Sequence, residues 1–127
     1  MSLPAVLEDF LAAVEKRDGA ALGACFTEDA TYATAVPLPA LVGRDAIVTM
    51  FGGLLGQVES ARFEIVGYTV DTSGDTDRVW TERIDHFTFG DKPVSIECMG
   101  VFEIEGDRIK AVRDYVDMNT WRERKGA

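Results

Sequence analysis

The sequence predicts an α+β fold: N-terminal helices packed on one face of a bent sheet. Two patterns carry this. Apolar residues recur at helical spacing in the first part of the chain, up to Val58. From Arg62 onward the chain is a run of Val-, Ile-, Phe-, Tyr- and Thr-rich segments divided by short turn sequences. Size agrees, since 127 residues with 46% hydrophobic and 28% charged side chains suffice for one domain, 1–127, with its own core.

The first helix has Val6, Leu7, Phe10, Leu11 and Val14 on one stripe, with Glu8, Asp9, Glu15 and Lys16 between them. Ser2 is a candidate N-cap, Pro4 falls in the first turn, and Asp18-Gly19 stops the helix. A short second helix turns Leu22, Cys25 and Phe26 inward. Asp29 to Val36 reads as a strand running into the stiff Pro37-Leu38-Pro39. Gly43-Arg44-Asp45 opens a third helix with Ile47, Val48, Phe51, Leu54, Leu55 and Val58 inside. Gly52-Gly53 within it implies close packing on the sheet or a pocket floor. Strands are expected at Arg62–Asp71, Asp77–Phe89, Val94–Glu105 and Arg108–Asp117. The turns between them carry Ser73-Gly74-Asp75, Gly90-Asp91-Lys92-Pro93 and Gly106-Asp107. Short connections make these an antiparallel meander. Met118 to Arg124 reads as a short terminal helix.

Composition excludes several classes of function. Net charge is −9, from 22 acidic and 13 basic residues, which argues against nucleic acid. No apolar run approaches the ~20 residues of a membrane span, and no signal-peptide pattern opens the chain, so a cytoplasmic location is expected. Cys25 and Cys98 lie in apolar stretches without metal-like spacing and read as buried free thiols. One histidine, His86, cannot anchor a multi-histidine metal site.

The chemistry concentrates in two strands. Period two places Val79, Thr81, Arg83, Asp85 and Phe87 on one face of the first. On the last strand Val112, Asp114 and Val116 share a face. An Asp flanked by valines at i±2 is expected to point inward, and buried charges require partners. Arg83 between Asp85 and Asp114 is the natural arrangement, one guanidinium donating to both. Such a cluster is either a structural ion triad or an acid–base pair held in two protonation states.

Thr81-Glu82-Arg83-Ile84-Asp85 resembles the Asn-Glu-Arg-Val-Asp stretch of the limonene-1,2-epoxide hydrolase family. Arg113-Asp114-Tyr115-Val116-Asp117 resembles that family's Arg-Asp-Tyr-Phe-Asp. Gly100-Val101-Phe102, Gly43-Arg44-Asp45 and Pro37-Leu38-Pro39 match in the same order. The resemblance implies the NTF2-like or SnoaL-like cone, a curved mixed or antiparallel sheet with the N-terminal helices on its concave face. It also implies hydrolysis of a small hydrophobic epoxide to a diol, without cofactor, metal or covalent ester. Asp114 would deprotonate water, Asp85 would protonate the epoxide oxygen, and Arg83 would hold both acids and position that oxygen. Tyr32 would help hold the water. The family places an Asn two residues after that Tyr. Here the position is Thr34 counted from Tyr32, or Ala35 counted back from Pro37, and Thr34 is the candidate water-positioning residue.

Leu54, Val58, Phe87, Ile96 and Cys98 would wall an apolar pocket or simply belong to the core, together with Gly100 and Phe102. His86 should point away from the acids, and no base is paired with Cys98. Glu82 and Glu97 fall out of phase with the pocket and are expected to be solvated or to pair with Arg113. Asp117 reads as a cap for the last helix. Trp80, His86, Met99, Val101 and Tyr115 suggest an exposed strip on the convex face and hence a homodimer made sheet to sheet. Two other functions stay open on sequence: a non-catalytic hydrophobic-ligand binder, and an isomerase or cyclase of the same superfamily.

Overall fold

Four long strands form the meander that the turn sequences predict: β3 (Ser60–Asp71), β4 (Asp77–Phe89), β5 (Lys92–Glu105) and β6 (Arg108–Tyr115). Each pairs antiparallel with the next. The structure is a computed structural model that describes residues 2–126. Gly90 and Gly106 sit at positive φ in the β4–β5 and β5–β6 turns, a region open to glycine at little steric cost. The strand β1 (Phe26–Ala33) then joins β6 in parallel, and β2 (Leu41–Val42) pairs antiparallel with β1. The result is one mixed, curved, six-stranded sheet in the order β2-β1-β6-β5-β4-β3.

Three helices cover the inner face: α1 (Ala5–Lys16), α2 (Gly19–Ala24) and α3 (Arg44–Leu55). Their apolar stripes meet the sheet through aromatic rings. Phe10 of α1 has its ring centroid 5.8 Å from Phe26, 5.9 Å from Phe51, 6.1 Å from Phe63 and 5.7 Å from Phe102. Such tilted and edge-on pairs add to the burial of the rings themselves. A fourth helix, α4 (Met118–Lys125), has no buried residue. Asp117 caps it by accepting from the Asn119 and Thr120 backbone N–H groups.

Several boundaries differ from the sequence reading, each for a physical reason. Pro4 itself is the N-cap of α1 without a side-chain bond, so Ser2 does not cap it; Arg17 closes the helix in the left-handed conformation. Asp18 caps α2 by accepting from Ala21 N–H. The second helix stops at Ala24 because Phe26 already pairs with Ile109, whose N–H donates to the Cys25 carbonyl. β1 therefore runs from Phe26 to Ala33 rather than from Asp29 to Val36, and the two-residue β2 carries too little pattern to be seen in sequence. Val58 lies past the end of α3, though buried. An added Cβ on Gly52 or Gly53 would meet nothing within 4 Å, so close packing does not explain that pair; Gly53 lines a cavity. Between α2 and α3 the close approach is at Gly23, where a Cβ would sit 3.0 Å from Val48 Cγ2.

The outer face keeps Trp80, Met99 and Tyr115 exposed, but Val101 is buried and leaves the expected strip. His86 is only half exposed and bridges Ser95 Oγ at 2.7 Å and Glu64 Oε1 at 2.8 Å, on the face away from Asp85. Arg113 pairs with Glu103, and Glu97 pairs with Arg124 of α4, so neither expected Arg113 pairing with Glu82 or Glu97 forms.

Candidate active site

Arg83 stands at the centre of the inner face with its side chain wholly out of solvent. β4 places it two residues from Asp85, and β6 brings Asp114 beside it from two strands away. Its Nε donates to Asp85 Oδ1 at 2.7 Å and its Nη2 to Asp85 Oδ2 at 3.0 Å. Its Nη1 donates to Asp114 Oδ1 at 3.1 Å and Nη2 to Asp114 Oδ2 at 3.0 Å. Tyr32 of β1 donates its O–H to Asp114 Oδ2 at 3.1 Å. Asp114 thus accepts from three donor groups and Asp85 from two. The rings of Phe63 and Phe102 carry the guanidinium carbon 4.8 Å and 5.8 Å from their centroids, a cation–π setting that suits a buried Arg.

Gly100 makes the cluster possible. It faces Thr81 on β4 and Asp114 on β6. A Cβ there would lie 2.6 Å from Arg83 Nη1 and 2.6 Å from Asp114 Oδ1. Beneath it, Thr81 Oγ1 donates to the Gly100 carbonyl at 2.8 Å. Among the described residues, every fully buried side-chain nitrogen and oxygen has a hydrogen-bond partner, as a charged group in a low-dielectric site requires.

Burial sets the protonation landscape. Desolvation pushes the Asp85 carboxyl above the usual carboxylate range, and the Arg83 charge beside it only partly opposes this. Burial also opposes the Arg83 charge, but the carboxylates of Asp114 and Asp85 overcome it and hold the guanidinium protonated. The Tyr32 phenol is pushed well up by desolvation and by the nearby Asp114 charge, so it remains a donor. Cys98 Sγ lies 3.4 Å from Arg83 Nη2, yet desolvation pushes its thiol up to about 12, and it is no nucleophile at neutral pH.

The two carboxyl groups face a cavity of about 440 Å³ between the sheet, α3 and α4. Its walls are apolar: Phe51 and Leu54 from α3, Phe63 and Phe87 from the sheet, Trp121 from α4. Tyr32, Leu54, Phe87, Ile96, Cys98, Asp85 and Asp114 all line it as the sequence suggests. Thr34 lines it too, whereas Ala35 is buried away from it, so the chain presents Thr34 at the position left open between them. One expected wall is absent. Val58 does not line the cavity; it lies past the end of α3 in the core, its carbonyl accepting from Arg17 Nη1. Arg83 lies behind the two carboxyl groups, which stand between its guanidinium and the cavity. Sequence reasoning missed Met118, Trp121 and Lys125, because α4 has no apolar stripe to mark it as a wall. A lone Trp in that polar segment was the available signal; its ring centroid is 5.4 Å from Phe87 and 6.1 Å from Phe89.

This fold and this cluster define a class. The chain belongs to the SnoaL-like domain family, whose model matches residues 7–112. Its structure is similar to an M. tuberculosis LEH-like epoxide hydrolase, at 27% identity and a TM-score of 0.78, covering 94% of this chain and 85% of that one. It is also similar to a Catenulispora acidiphila protein of ketosteroid isomerase-like fold (20% identity, TM-score 0.79, 97% and 93% covered). A Xanthomonas campestris protein assigned as a polyketide cyclase matches at 17% identity and a TM-score of 0.74, with 95% and 94% covered. At those lower identities the likeness speaks for the fold alone. Among the described residues, no helix is long and apolar enough to cross a membrane.

Proposed function

We propose that this protein hydrolyses the epoxide of a small apolar molecule to a diol, by direct attack of water. One observation carries the reading: a single guanidinium clamps two carboxyl groups at an apolar cavity, and the third donor, Tyr32, serves only Asp114. Asp114 is held by three donor groups, Arg83 Nη1, Arg83 Nη2 and the Tyr32 hydroxyl, and in this reading it takes a proton from water. Burial favours the protonated form of Asp85, which suits it to protonate the oxygen that leaves carbon as the ring opens. In that step a water oxygen bonds to an epoxide carbon, the C–O bond breaks, Asp114 gains the water proton and Asp85 loses its own. Arg83 holds the two acids at fixed spacing, which is the larger part of what an enzyme must supply when ring strain already favours opening. The 27% identity to an LEH-like epoxide hydrolase supports the same reading.

Single turnover of an epoxide such as limonene oxide in ¹⁸O-water tests it. One labelled oxygen should enter the diol and none should enter the protein. Asp114→Asn should lose at least ~10²-fold in rate, the scale of a lost general base, while keeping its far-ultraviolet circular dichroism. Label recovered in an enzyme carboxylate, or full activity in that variant, refutes the mechanism. A second reading, ligand binding without turnover, is favoured by Thr34 standing exposed at the cavity edge where a water needs a firm third contact. It predicts saturable binding of the epoxide and its recovery unchanged. A homodimer through Trp80, Met99 and Tyr115 goes with the enzymatic reading, and sedimentation tests it.

A further inference from the structure

The reacting end of the cavity is anionic or neutral, with two carboxyl groups over one guanidinium. Its solvent edge is different. Lys125 is the only cation among the described lining residues, and it is exposed. Its Nζ lies 5.3 Å from the centroid of the Phe89 ring, a contact that steers an ammonium without neutralising it. No described carboxylate pairs with it. Its neighbours are committed elsewhere: Arg124 binds Glu97 and the Ser95 carbonyl, and Lys92 Nζ donates to the Lys125 carbonyl at 3.0 Å. The last turn of α4 carries Arg122, Arg124 and Lys125 against one acid, Glu123, and with Arg124 paired to Glu97 it keeps a small positive excess in a chain whose net charge is −9. A positive edge on so acidic a molecule concentrates anions locally.

We propose that the ligand of this cavity carries one carboxylate, remote from its reacting group, and that Lys125 receives it at the cavity edge. The identity of the reacting group as an epoxide rests on the function proposed above; the recognition of the acid does not. Apolar walls take the body of the ligand, and the single free ammonium matches a single negative charge. A phosphate would call for an Arg fork or a set of backbone N–H groups, and neither is offered beside Lys125. The two inner carboxyl groups take up the donors of Arg83, so the inner end offers an anion no free cation and the acid end gains nothing there. Charge therefore sets the direction in which the ligand lies, with the uncharged end against Asp85 and Asp114.

Calorimetry with the full chain tests this, using phenylalkanoic acids with two to six methylenes and their methyl esters. These probes have no epoxide, so the result does not depend on turnover. At low salt the best acid should bind about two- to fivefold more tightly than its ester, the range for an exposed pair, and the preference should fade at high salt. Lys125→Gln should remove the difference and Lys125→Arg should keep it. Equal or tighter binding of the esters, a preference that survives in Lys125→Gln, or no binding of either series overturns the proposal. A preference for acids without turnover of any epoxide would overturn only the hydrolase reading. Turnover of neutral epoxides with no acid preference would overturn only this one.

Discussion

Gly100→Ala offers a test in which the sign of the effect is decided by the site. On propensity alone, Ala in a strand is better than Gly by roughly 0.5–1 kcal/mol, and Gly100 is not at positive φ, so its backbone accepts a side chain. The site says otherwise. The new methyl would lie 2.6 Å from both Arg83 Nη1 and Asp114 Oδ1. Ordinary contact begins near ~3.5 Å, so one or both groups must retreat by roughly 1 Å. The Nη1–Oδ1 hydrogen bond, already 3.1 Å long, does not survive such a shift. Overpacking costs roughly 1–3 kcal/mol and the lost hydrogen bond adds roughly 1 kcal/mol, which leaves a net loss of roughly 1–3 kcal/mol after the propensity gain. Urea denaturation followed by tryptophan fluorescence should show the midpoint falling by roughly 0.5–1.5 M. Turnover should fall by about 10²-fold, the cost of a 1 Å misplacement of catalytic groups. A variant as stable as the parent, or more so, with unchanged turnover would mean that the ion cluster does not lie over Gly100.

Three further outcomes follow from the same geometry. Tyr32→Phe removes the donor that distinguishes Asp114 from Asp85, and a lost bond to a charged group is worth roughly 1.5–3 kcal/mol; kcat/KM should fall about ten- to a hundredfold, and an unchanged value in steady-state kinetics refutes the water-holding role. Asp85 is pushed up in the folded state by burial, so its stabilising contribution is complete below the unfolded value of about 4 and is lost as pH rises through the folded one; relative to Asp85→Asn, which cannot titrate, the parent should lose stability over that window in urea melts at stepped pH. A constant difference would remove the burial argument. Trp121→Ala strips an apolar wall contributed by α4, and KM for an apolar epoxide should rise about tenfold, equivalent to ~1.4 kcal/mol, with kcat little changed; a fall confined to kcat would place Trp121 in the chemistry instead.

The meander was legible because its signals are local. Alternation, β-rich composition and glycine turns mark β3 to β6 to within two residues at each end, and the same alternation put Arg83, Asp85 and Asp114 on one face. What was not legible depends on distant pairing. β1 starts at Phe26 because β6 offers its edge there, a fact that no window around Phe26 contains. Val101 alternates as an outward residue and is nonetheless buried. Counting from two anchors could not separate Thr34 from Ala35; of the two, Thr34 reaches the cavity, which depends on how the chain is placed in three dimensions. The role of Gly100 was visible only as a glycine in mid-strand; the reason for it lies on the two neighbouring strands.

The parallel junction of β1 with β6 also bears on how the protein is made. Tyr32 and Asp114 are 82 positions apart, and two parallel strands cannot be joined by a simple hairpin. During synthesis β1 must therefore wait, unpaired along that edge, until β6 has left the ribosome. Pairings of such long sequence separation are slow to form. The Tyr32–Asp114 contact would then form last, which makes the completed Arg83 cluster a marker of finished folding.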